Sequence, residues 1–338
     1  MLRILTILMM TWMMLASCCR KPASVPSPQR SIYYWRTVLS LDSAERRFLK
    51  DHEVKKMYVR YFDVVANEQG YLKPNATLRF SDTIPAGIEV IPTVFIVEHC
   101  LDHDLAGLAG KIVDRVLKMT ETNGMGPVRE LQIDCDWTRQ SMGQYYTFLE
   151  EARKLLKSHG MRLSATIRLH QLSMPAPPVD YGVLMVYNTG DATRHDCANP
   201  ILDEKDAMPY LKDVEKYDLP LCAAYPNFSW NLLFSGTRFE RILYEADLRD
   251  SLVFKQVSPD KYVVIQSRDL PSSITDDTHI HAGDSVLVRR VPIERILHIH
   301  RLLSDRRKGI NDQVIIYDLS KHNIHQYQPH DYEKIYHP

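Results

Sequence analysis

Apolar positions along this chain recur with two periods that take turns in a regular order. From 131 to 136, Leu131, Ile133 and Cys135 fall on one side of an extended segment, while Gln132, Asp134 and Asp136 fall on the other. Residues 162–170 repeat the pattern. Leu163, Ala165, Ile167 and Leu169 share one face; Ser164, Thr166, Arg168 and His170 share the opposite one. Between them, 143–158 has helical spacing and stops at His159-Gly160, where glycine can take the left-handed turn that ends a helix. Two such strands joined by a helix predict neighbours in a closed barrel, with polar side chains inside. Strands of an open, doubly wound sheet are generally apolar on both faces, which argues against that alternative.

The same rhythm extends in both directions. Strands are predicted at 32–36, 56–63, 88–98, 130–137, 162–170, 182–188, 220–225 and 313–319, and helices at 41–51, 104–119, 143–158, 207–217 and 293–307. In the second helix Leu105, Leu108, Ile112, Val116 and Leu117 mark the apolar stripe. Eight strands alternating with helices give the α/β class and, within it, a (β/α)8 TIM-like barrel. After strand seven the rhythm breaks. Residues 252–257, 262–268 and 285–290 read as short strands, so a small β-rich insertion at about 250–291 is expected between strand seven and strand eight. From Lys321 onward the chain is rich in His and Tyr and is expected to pack as a tail, with His322, His325, His330 and His337 solvated.

The first residues say where such a barrel would work. Arg3, an apolar run over 4–14 and then Leu15-Ala16-Ser17-Cys18 form an export signal too short to favour a spanning helix. Leu-Ala-Ser-Cys is similar to the lipobox of bacterial lipoproteins. That resemblance implies a signal peptide at 1–17, lipid on Cys18 and a polar, proline-rich tether at 18–30, with the barrel occupying 31–338. The expected location is lipid-anchored to the bacterial cell envelope, at the outer membrane and facing the periplasm, with surface exposure as the alternative. In lipoproteins of the Bacteroidetes type, an acidic stretch after the cysteine marks surface export. Here the stretch is basic, Arg20-Lys21, so the resemblance to lipoproteins implies the periplasmic side.

Composition narrows the partners. With 42 Lys and Arg against 42 Asp and Glu there is no basic excess to bind nucleic acid. Cys19, Cys100, Cys135, Cys197 and Cys222 are scattered without metal-ligand spacing, and no disulfide framework can be read from them. Glu98, His99, Asp102, His103 and Asp104 have metal-binding side chains, but strand-to-loop geometry scatters them, so no metal and no cofactor is expected. Phosphate loops, nucleophile elbows and dinucleotide fingerprints are missing.

Barrel enzymes place catalytic groups at the C-terminal ends of their strands. Ile133-Asp134-Cys135-Asp136-Trp137 resembles the strand-four signature of family 18 glycoside hydrolases, the chitinase type, and Met185-Val186-Tyr187-Asn188 resembles their strand-six Met-x-Tyr-Asp motif. Both fall on the matching strand. The resemblance implies that Asp134 and Asp136 are the supporting acids and that position 138 holds the acid protonating the leaving oxygen. Position 138 is Thr138, whose hydroxyl has no carboxyl proton to give, and Asn188 stands where the second motif has its acid.

If the chain is a glycosidase, two carboxylates must flank the bond. Asp136, Glu98 and Asp134 are the catalytic candidates, with Asp136 the most exposed and Glu98 opposite it; Asp63 and Asp318 are further acids at strand ends. Trp35, Arg168, His170, Tyr187, Asn188, Tyr225, Asn227 and Trp230 are the candidate substrate-binding residues, rings to stack on sugars and polar groups to bond hydroxyls. The expected partner is a polysaccharide or glycan, together with the membrane through the lipid on Cys18. Three readings stay open: a hydrolase, a non-catalytic barrel that binds glycan or an envelope protein, and a structural barrel in which Asp134 pairs with Arg168 or Arg60.

Overall fold

The structure, a computed structural model, describes residues 27–272 and 277–337. The signal segment, Cys18 and most of the tether lie outside the described residues. Eight parallel strands form the centre: β1 (Gln29–Tyr34), β2 (Lys56–Ala66), β3 (Glu89–Ile96), β4 (Glu130–Cys135), β5 (Arg162–Arg168), β6 (Tyr181–Met185), β7 (Leu221–Pro226) and β8 (Gln313–Tyr317). Each pairs with the next, and β1 pairs with both β2 and β8, with Ile32 opposite Met57 on one side and Ile316 on the other. The sheet therefore closes on itself into the (β/α)8 barrel.

Helices α1 (Ser43–Asp51), α2 (Leu108–Thr122), α3 (Met142–Ser158), α4 (Glu204–Leu211), α5 (Ile293–Arg306) and α6 (Pro329–Tyr336) cover the outside. Asp42 caps α1 by accepting from the amides of Ala44 and Glu45, the bond expected of an aspartate before a helix. Along α2 the residues Leu108, Ile112, Val113 and Val116 are buried against the sheet, each worth roughly 1.5–3 kcal/mol. Two crossovers lack a full helix. β2 to β3 runs through an antiparallel return strand, Leu72–Asn75, and β5 to β6 through one short turn of helix, Leu169–Ser173.

The inserted sheet is larger than its sequence suggested and starts earlier, at Ser229 instead of about 250. Five antiparallel strands are ordered Arg238–Ile242, Ser229–Ser235, Ser285–Arg290, Lys261–Val264 and Phe254–Ser258. Ser229 follows β7 after only two residues, Asn227 and Phe228, so no loop separates the two strands in the sequence pattern. The C-terminal segment packs as a tail, with His322, His325, His330 and His337 exposed as expected. Tyr332, Ile335 and Tyr336 of α6 are buried, and Tyr336 donates to the carbonyl of Ser31 at 3.0 Å. Its rings close the seam where the barrel begins.

Candidate functional site at the barrel mouth

Alternation along β4 works as its sequence predicts. Gln132 and Asp134 point into the lumen, where Gln132 accepts from Tyr33 at 2.8 Å and from Thr93 at 3.3 Å. Trp137 points the other way and packs against Tyr145 and Tyr146 of α3, at 6.0 and 5.3 Å between centroids. The motif's tryptophan is thus an anchor for the helix, and it fixes where the strand end leaves Asp136 and Thr138. Gln171 then ties this end to β5, donating to the Trp137 carbonyl at 2.9 Å and accepting from the Arg168 amide at 2.7 Å.

Arg168, at the end of β5, bridges the two acids. Its Nη2 donates to Asp134 at 3.0 Å and its Nε to Asp136. Thr166 adds a 2.6 Å bond to the same Asp134 oxygen. The Asp134 side chain is 4 % exposed and that of Asp136 is 52 %, so one acid is interior and the other meets solvent. Burial pushes the Asp134 carboxyl above its ordinary range, while Arg168 and the Thr166 bond pull it back. Burial opposes the charge on Arg168, but the two carboxylates outweigh it and hold the guanidinium charged. One cation therefore occupies both motif acids.

The other acidic candidates separate in the same way. Asp63 is locked to Arg60, whose Nε lies 2.7 Å from it. Asp318 is buried beyond β8 and accepts from Asn323; burial pushes its carboxyl up to about 6. Glu98 is half-buried and accepts from the Thr138 hydroxyl at 3.3 Å, beside the position where the chitinase pattern has its acid. His170 is exposed as a residue, but its ring is partly shielded from water near Asp136 and Arg168, and that partial desolvation lowers its pKa.

Opposite this polar arc stands an aromatic one. Tyr317 of β8 lies 6.0 Å from Trp35, 5.2 Å from Tyr187 and 5.8 Å from Phe228, and Phe228 lies 5.3 Å from Trp230. Trp35, Tyr317 and Trp230 are half-buried and keep ring surface open, whereas Tyr187 and Phe228 are buried behind them. Arg60 covers one face of Trp35 at 5.4 Å. The Tyr187 hydroxyl is buried without a hydrogen-bond partner among the described residues. Such a donor at the base of a mouth is costly unless a ligand or water meets it.

Two substrate-binding expectations are corrected. Tyr225 faces outward: it stacks on His300 of α5 at 5.2 Å and donates to Asn311, because its place in β7 puts it on the helix side. Asn227 is fully buried and donates to the Asp318 carbonyl at 3.2 Å, joining the ends of β7 and β8. Asn188 is exposed at φ 56°, a left-handed conformation that asparagine tolerates. Tyr317 and Phe228 were missed. Tyr317 shares a face with Gln313 and Ile315 of β8, so alternation alone would have found it.

No protein-family model matches the sequence, and no curated protein does. Solved structures match the fold. A chitinase from Chromobacterium violaceum has a TM-score of 0.55 at 12% identity, covering 92% of this chain and 100% of the other. The C-terminal domain of a putative chitinase from Desulfitobacterium hafniense has 0.55 at 11%, covering 92% and 97%. The spore cortex-lytic enzyme SleL of Bacillus cereus has 0.52 at 15%, covering 93% and 75%. At these identities the shared property is the barrel.

Proposed function

We propose that this chain is a membrane-anchored bacterial lipoprotein whose barrel binds a glycan at its C-terminal mouth without cleaving it. The observation that carries the reading is the division of the mouth. Both motif acids are consumed by Arg168, Thr138 has no proton to deliver, and three aromatic rings opposite keep open surface. Flat rings beside a few polar groups suit the C–H faces and hydroxyls of a sugar. Support for a glycan over another ligand comes from the chitinases and the cortex-lytic enzyme that share the fold. The test is a glycan array followed by hydrolysis assays on the hits. Binding without release of reducing ends is expected; turnover by the wild-type protein would overturn the reading.

A second reading keeps hydrolysis, with Asp136 and Glu98 as the acids. It is favoured by the 3.3 Å contact that puts the Glu98 carboxylate beside Thr138. The same assay separates the two, since only a hydrolase loses turnover in Glu98→Gln.

The anchor is tested apart from the barrel. Cys18 carries the lipid in this proposal, and the periplasmic side of the outer membrane is the proposed location. Cys18→Ala should move the protein from the membrane to the soluble fraction, and unchanged fractionation would remove the anchor. Several acyl chains hold a protein far more firmly than one.

A further inference from the structure

The hairpin between β2 and its return strand stands on the mouth side of the barrel. β2 runs past the last pairing with β3, at Val64, and turns back through residues 67–71 to Leu72–Asn75, which pairs with Asp63 to Ala66. The turn is tightly specified. The Asn67 side chain accepts from the amides of Gln69 and Tyr71 at 3.1 and 2.8 Å, and its backbone exchanges bonds with Gly70 and Tyr71. Gly70 has φ 79° and lies so close to His103 that a Cβ there would meet the ring at 2.9 Å. All this order displays one ring: Tyr71 is 73% exposed.

We propose that Tyr71 is a second stacking platform for the same glycan, serving sugars beyond those at the aromatic arc. The inference rests on the glycan-binding reading above. The hairpin is continuous with the arc, because Asp63 at its base holds Arg60, and Arg60 lies over Trp35. Four residues of strand separate Asp63 from the turn, about 13 Å at the usual rise. A strand length of that order exceeds one sugar ring, so the ligand this proposal requires, touching both Trp35 and Tyr71, is an oligosaccharide chain. The surroundings suit a sugar better than a protein. Glu68, Gln69 and Lys73 beside the ring are exposed and polar, so there is no apolar core for an interface, while their groups can bond hydroxyls.

The test compares disaccharides and hexasaccharides on a glycan array, using wild type, Tyr71→Ala and Tyr71→Phe. Melting temperatures check that an exposed substitution leaves the fold intact. Wild type should bind a hexasaccharide roughly tenfold more tightly than the matching disaccharide. Tyr71→Ala should erase that advantage and leave disaccharide affinity unchanged, and Tyr71→Phe should keep it. A length preference that survives in Tyr71→Ala overturns the platform while leaving glycan binding intact. Absence of binding by wild type overturns the glycan reading and this inference with it.

Discussion

The mouth of this barrel has two halves that treat their side chains in opposite ways. On the β4–β5 side the charged and hydroxyl groups are turned on neighbours: Arg168 on Asp134 and Asp136, Thr166 on Asp134, Thr138 on Glu98. On the β1–β8 side the rings of Trp35, Tyr317 and Trp230 pack at tilted angles on their neighbours and stay only half-buried. Charged groups at a strand end must find partners, because an unpaired buried charge is costly. Aromatic faces carry no such requirement. The half that resembles chemistry is thereby self-satisfied, and the half without titrating groups in view remains available.

The largest expected effect breaks the polar half. Arg168→Met leaves Asp134 buried without its cation and should cost about 3–5 kcal/mol in denaturant unfolding. Asp134→Asn combined with Arg168→Met removes both charges and should recover most of that loss. A loss under about 1 kcal/mol in the single variant would mean that the clamp does not support the fold.

Next comes the acid beneath the aromatic half. Asp318 has a folded pKa of about 6, raised by burial from an ordinary 3.8. Between those values the folded protein binds more protons than the unfolded chain, so stability falls as pH rises from about 4 to 6. The shift corresponds to an upper bound of about 3 kcal/mol. Asp318→Asn keeps an oxygen for Asn323 and should flatten that slope. An unchanged slope assigns it to another group. The third effect is read on binding: Trp35→Ala or Trp230→Ala should lower glycan affinity roughly 30-fold, about 2 kcal/mol, on protein that still folds but melts lower from lost packing. Equal affinity in both variants would put the ligand elsewhere.

What the sequence revealed follows the same division. The eight strands and the inward acids were legible because alternation has a period of two and a buried face leaves no freedom of register. Pairing of Asp134 with Arg168 was among the readings open from the strand pattern, since both sit on inner faces of adjacent strands. The sharing of Arg168 with Asp136 was not, because Asp136 lies one residue past the end of β4, where alternation no longer dictates direction. Tyr225 was misplaced for a related reason. It sits at the strand end like a rim residue, yet its parity belongs to the helix face, and only the register of Tyr225 with Ile316 shows it. The insertion's start at Ser229 was hidden because only Asn227 and Phe228 separate it from β7, too short a connection to stand out as a boundary.

The smallest expected effect separates the two halves most sharply. Asp136→Asn removes one charge from a pair whose carboxylate is half in solvent, and exposed pairs contribute about 0–1 kcal/mol. Arg168 keeps Asp134, so the clamp persists in weakened form. Glycan affinity should change less than about twofold, since the open rings stand on the other side of the mouth. A hydrolase answers differently, because losing one of two reacting carboxylates removes turnover outright. Measuring affinity and reducing-end release on the same Asp136→Asn preparation therefore tests the division itself. Unchanged affinity with no turnover in either protein keeps the polar half structural, and a large loss of either places the ligand against it.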